Sequence, residues 1–181
     1  MSNKVDTTDF KRAKKYGFWT GKYRLDPLPL PDWPSMPWYK RIWSRLTYTR
    51  LYEFENDKKD PLTFNHPEKC LIRPDAHFTT DMGSVPKKLQ GLIPWLFAKD
   101  LWLKDYILHD SGYAHGGLWF AKRDKEIFTF CKLRRSVVDN LLALSIKASG
   151  GGCFSSGPIW FGVMMGGWLS YDKGDLAKKE N

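Results

Sequence analysis

The chain has only three cysteines, Cys70, Cys131 and Cys153, an odd number with no Cys-x-x-Cys pair. That excludes a disulfide framework and a structural zinc knuckle, and it suits synthesis in a reducing cytoplasm. It also lacks a long apolar stretch. Residues 158–169, Pro-Ile-Trp-Phe-Gly-Val-Met-Met-Gly-Gly-Trp-Leu, are the longest run, and at twelve residues they are too few to span a bilayer as a helix. Gly162-x-x-x-Gly166 within them carries little meaning outside a membrane span. The first seventeen residues hold charge but no apolar core, so no secretory leader is expected. There is no internal repeat, helix-turn-helix signature, ribonucleoprotein motif or zinc finger.

What is present is aromatic and basic. Nine Trp residues promise large buried or interfacial aromatic surfaces. A formal net charge of +9 points to an acidic partner: an acidic protein, an anionic envelope surface or a nucleic acid. Lys and Arg interleaved with Trp and Tyr would suit phosphate contact and base stacking. With no recognised motif to direct them, nucleic acid is the least favoured of the three. With 42% hydrophobic and 27% charged residues, the chain has the composition of a globular protein with one ordinary core.

Three regions are expected. Residues 1–45 read as a basic, Pro/Trp-rich arm. Five prolines between Pro27 and Pro37 forbid a helix and favour extended chain. Leu28, Leu30, Trp33 and Trp38 make that stretch too apolar for a free linker. Residues 46–152 read as an α+β core, and residues 153–181 as an apolar, Gly-rich segment with a charged tail. Within the core, residues 46–55, 62–64, 69–74 and 76–80 carry the alternation and β-formers of short strands. Helices are expected from Ser84 onward and over 99–114, 122–133 and 136–148. The last is apolar around most of its circumference and ends at Ser149-Gly-Gly-Gly152. The expected fold is therefore a small antiparallel sheet, about residues 46–80, packed against three or four helices, about residues 84–148, with an extended N-terminal arm.

Chemistry-bearing residues gather in two segments, Thr80-Asp81-Met82-Gly83-Ser84-Val85-Pro86 and Leu108-His109-Asp110-Ser111-Gly112-Tyr113, with Arg123-Asp124 following. Ser84 reads best as a helix N-cap with Pro86 in the first turn, although Ser84-x-x-Lys87 also fits a serine–lysine nucleophile pattern. Asp81 suits an Asx-turn, or a general base or metal ligand. His109, Asp110 and Asp124 are donors that suit Zn²⁺, Mn²⁺ or Fe²⁺, and such a divalent metal would polarise water for hydrolysis. The competing reading is a His–Asp hydrogen-bond network that locks helix to sheet. Asp105 precedes His109 by one turn on the same face. The spacing of His77 and His109-Asp110 also fits an HD-type phosphohydrolase, with Asp124 or Asp139 as the distal carboxylate. His77 sits in a strand-like run, however, and that superfamily is all-helical.

The ordered set Thr80-Asp81-x-x-Ser84-Val85-Pro86, Leu108-His109-Asp110-x-x-Tyr113 and Asp124-x-x-x-Phe128 resembles the phage and prophage family catalogued as domain of unknown function 1353. The resemblance covers about residues 46–150. It implies a bacteriophage or prophage origin and carries Asp81, Ser84, His109, Asp110 and Asp124 over as candidate positions without assigning a reaction. Arg123 stands where the family usually has Ala. Two functions are thus expected. The first is a virion-associated structural or accessory protein, made in the host cytoplasm, whose arms dock on other phage structural proteins through Trp33, Trp38, Trp43, Trp160 and Trp168. The second is a metal-dependent hydrolase of a cell-envelope substrate, with Asp81, His109, Asp110 and Asp124 as its catalytic cluster.

Overall fold

The computed structural model describes residues 7–40, 51–81, 102–125, 127–152 and 157. Among them, eight strands form two antiparallel sheets. Helix α1 (Thr7–Tyr16) leads into β1 (Phe18–Thr20) and β2 (Tyr23–Pro27), with a 3₁₀ turn at Trp33–Ser35. Strands β3 (Tyr52–Asn56), β4 (Thr63–Asn65), β5 (Cys70–Arg73) and β6 (His77–Thr80) follow. Then come α2 (Leu103–His115), β7 (Gly117–Lys122), β8 (Thr129–Lys132) and α3 (Arg135–Ala148). One sheet has the order β1-β4-β5-β7-β8 and the other β2-β3-β6.

This corrects the expectation of one small sheet under three or four helices with an extended arm before it. Residues 18–27 are not an arm. Phe18 to Thr20 pair with Asn65 to Thr63, and Tyr23 to Pro27 pair with Asn56 to Tyr52, so this segment supplies an edge strand to each sheet. The switch between sheets takes place at Gly21 (φ +88°), where a Cβ would lie 2.1 Å from the Pro61 carbonyl oxygen. Only glycine fits that conformation at that distance. The helix expected over 122–133 is instead a turn and strand β8, which pairs with β7 through Leu118↔Cys131 and Trp119↔Phe130. Gly116 takes the left-handed conformation (φ 65°) and ends α2, and β7 follows with Trp119 and Phe120, good β-formers, which gives residues 129–132 a strand to pair with. The helix expected from Ser84, and Ser84 itself, lie outside the described residues, as do Trp43, Trp160 and Trp168.

Helix α2 is the hub. Its buried residues are Asp105, Tyr106, Ile107, Leu108, His109, Ser111 and Gly112, which cover nearly its whole circumference. Leu108 joins Phe64, Ile72, Leu118 and Leu141 against the five-stranded sheet. Ile107 joins Phe54, Leu62 and Phe78 against the three-stranded sheet. Tyr106 packs with Trp102, Leu142 and Ile146 at the contact with α3. Phe54 and Phe78 are cross-strand partners with ring centroids 5.0 Å apart, a pairing that stabilises β3 against β6. At Gly112 a Cβ would come within 2.7 Å of Val138, so α2 and α3 approach closely there. A helix buried on several sides can bring polar side chains into the interior only if they find partners there. That requirement builds the site.

Candidate functional site

His109 is 7% exposed and sits between two carboxylates. Its Nδ1 lies 3.4 Å from Asp110 Oδ1, and its Nε2 lies 3.2 Å from Asp139 Oδ1. An imidazole with an acceptor at each nitrogen makes both bonds only when both nitrogens carry protons. Burial alone would lower the His109 pKa. The hydrogen bonds and charges of Asp110 and Asp139 outweigh burial, and the net displacement is upward. Burial likewise pushes Asp139 up, but the hydrogen bonds from His109 and Tyr113 and the charges of His109 and Arg135 bring it below its usual value.

The network continues outward in both directions. Thr80 Oγ1, at the end of β6, donates to Asp110 Oδ2 at 2.5 Å. Tyr113 Oη donates to Asp139 Oδ1 at 2.5 Å and accepts from Arg135 Nε at 3.0 Å. Arg135 Nε also lies 3.5 Å from Asp139 Oδ2, one turn along α3. The rings of His109 and Tyr113 pack against each other with centroids 4.1 Å apart and planes tilted by 37°. Burial and the bond to Asp139 hold the Tyr113 phenol well above its ordinary pKa, so it stays a proton donor. One chain of contacts thus joins β6, α2 and α3.

Of the residues singled out from sequence, His109 and Asp110 come together, and Thr80 of the first motif joins them. Asp81 follows directly after β6 and is half-buried. Asp124 stands exposed in the turn between β7 and β8. Asp105 does share the inward side of α2 with His109, but it bonds Trp19 and Ser149 instead. The carboxylate that completes the cluster is Asp139, which sequence reasoning weighed only as a distal ligand in the HD-type spacing. Two signals pointed to it. It is the lone acid in an apolar helix, where a buried charge needs a partner, and Arg135 precedes it by four residues.

The donors expected for a divalent metal do not converge. Asp110 and Asp139 face opposite nitrogens of the His109 ring, so one ion at either nitrogen would meet only one of them. Asp124 is in the exposed turn. Among the described residues, no group of three or more His, Cys, Asp or Glu side chains is placed to hold a metal ion. The arrangement matches a locked hydrogen-bond network.

Comparison of the chain with family models, curated proteins and solved structures gave no match. Among the described residues, no helix is long and apolar enough to cross a membrane.

Among the described residues, Ile127 in the β7–β8 connection is 73% exposed, and three large apolar side chains are exposed together in sequence elsewhere. Trp38 is 73% exposed, Leu30 54% and Tyr39 51%, all in the Pro-rich segment that follows β2. Trp38 and Tyr39 meet edge-to-face with centroids 6.1 Å apart. For Trp33 only the backbone is described.

Proposed function

We propose that the protein is a bacteriophage-type, virion-associated structural or accessory protein that docks on other phage subunits through the segment 28–40. The observation that carries the docking is the exposure of Trp38, Tyr39 and Leu30 on a chain stiffened by Pro29, Pro31, Pro34 and Pro37. Large aromatics left in water are the side chains most often used as interface anchors. Proline-rich backbone has little entropy to lose on docking. The net charge of +9 favours a partner with an acidic surface. The phage setting rests on the resemblance of the Thr80–Pro86, Leu108–Tyr113 and Asp124–Phe128 motifs to the phage and prophage family.

In this reading the His109 network is a scaffold. It fixes α2 and α3 against β6, and the first sheet holds β1 in place, so the segment leaving β2 starts from a rigid base. The experiment is incorporation into particles. Virions assembled with the wild-type protein should contain it. A Trp38→Ser/Tyr39→Ser double variant should fold normally and be absent from them. Absence of the wild-type protein from purified virions would overturn the proposal.

A further inference from the structure

The five-stranded sheet ends in β8, which among the described residues pairs on one side only, with β7. The Leu133 N–H donates to the Gly116 carbonyl, and the register sets Leu118 opposite Cys131 and Trp119 opposite Phe130. In an antiparallel ladder, hydrogen-bonded and non-bonded pairs alternate. Thr129 and Cys131 therefore turn their backbone groups toward β7, and Phe130 and Lys132 turn theirs away from it. The register continued one residue back gives Phe128 the same outward direction. These residues leave an open hydrogen-bonding edge.

The other sheet edges differ from this one. Strand β2 carries the exposed Arg24–Asp26 ion pair and ends in Pro27, β1 is three residues long, and β6 shows polar His77 and Thr79 to solvent. Charge, proline and shortness all discourage strand addition. The run Ile127-Phe128-Thr129-Phe130-Cys131 has no charge and no proline, and every residue in it but Cys131 is a strong β-former. Two apolar side chains stand in water beside it. Ile127 is 73% exposed, and Val137, in the first turn of α3, is 40% exposed.

We propose that β8 pairs antiparallel with β8 of a second copy of this chain, about a two-fold axis at Phe130, so that one sheet runs through both molecules. A second copy is the occupant because the edge is complementary to itself in this register. Phe130 exchanges hydrogen bonds with Phe130 of the second copy, and Phe128 does so with Lys132, so no outward backbone group is left over. The Phe130 rings meet across the axis, each already edge-to-face with its own Trp119 at 5.5 Å between centroids. The methylene stem of Lys132 lies along Phe128 of the second copy, with its ammonium in water. On the face that carries Leu118 and α3, Ile127 comes against Leu133 and the first turn of α3 of the second copy, where Val137 stands. One contact thus covers both exposed apolar side chains. The inference rests on β8 and is independent of the docking segment 28–40.

Sedimentation equilibrium of the purified full chain, in a concentration series reaching the high micromolar range, should show reversible association to twice the chain mass. Lys132→Pro removes an outward N–H that β7 does not use, so the fold is kept while the dimer weakens at least about tenfold. Thr129→Lys, at an exposed position, sets two lysines diagonally across the axis and should weaken it as well. Register is read by a crosslink. Thr129 and Cys131 of the second copy form a non-hydrogen-bonded pair, with Cα atoms about 4.5 Å apart, within disulfide reach. Oxidised Thr129→Cys protein should therefore run as a covalent dimer on a non-reducing gel, and adding Cys131→Ser should abolish that band. A monomer at every concentration would overturn the proposal. So would a dimer that both variants leave unchanged, or one in which Thr129→Cys fails to crosslink.

Discussion

Replacing His109 by Ala removes the cation that sits between Asp110 and Asp139. Asp139 has 4% of its side chain exposed and Asp110 16%, so both carboxylates lose their counter-charge in a poorly solvated place. Breaking a buried ion pair from one side costs roughly 3–5 kcal/mol. Partial compensation remains, because Asp139 keeps Tyr113 and Arg135, and Asp110 keeps Thr80. The lower end therefore applies, about 3 kcal/mol, which corresponds to a fall in Tm of about 6–12 °C for a chain of this size. Urea denaturation at pH 6 is the assay, with an unchanged slope showing that the folded state is intact. The pH dependence adds a second signature. The folded His109 pKa is raised above 6.5, so the folded state holds the extra proton more tightly than the unfolded chain does. Its stabilisation is complete below 6.5 and is lost as the pH rises through the folded value. Wild-type stability should thus decline on the alkaline side of 6.5, and the His109→Ala protein should lack that decline. A loss below about 1 kcal/mol at pH 6 would refute the reasoning.

Three further outcomes test other parts of the structure. Asp105 is raised from 3.8 to about 6, so stability present below 3.8 should be lost as the pH climbs through about 6. The loss is on the order of 3 kcal/mol, and Asp105→Asn should flatten that window in urea titrations. Gly17→Ala, at φ +91° with its Cβ 2.3 Å from the Asn65 carbonyl oxygen, should cost more than about 2 kcal/mol by the same measurement. Gly116→Ala, at φ +65° in open space, should cost only about 1 kcal/mol, the backbone term alone.

Local pattern revealed the elements whose neighbours in sequence are also their neighbours in space. Strands β3 to β6 overlap the alternating or β-rich runs read as strands, β3 and β4 each running one residue further, and α2 and α3 overlap the helices read at 99–114 and 136–148. The two-sheet architecture was hidden for physical reasons. Strand β1 is only three residues long and gains its stability from Phe64, Thr63 and Asn65 more than forty residues away. Residues 122–133 carry charged and apolar residues at spacings a helix would also use, and tertiary pairing with β7 decides for the strand. The candidate site was half legible. His109 and Asp110 are adjacent and conspicuous. Asp139 is thirty residues from His109, and only the packing of α2 on α3 brings them together. Asp124 reads in sequence as the opening of a helix, and that position is a turn.

The most direct measurement is the composition of purified virions, quantified by mass spectrometry, from cells producing either the wild-type protein or Trp38→Ser/Tyr39→Ser. The account predicts that the wild-type protein sediments with the particles. It also predicts that the double variant, with unchanged circular dichroism and Tm, stays in the supernatant. Equal incorporation of the two proteins, or absence of the wild type from the particles, would contradict it.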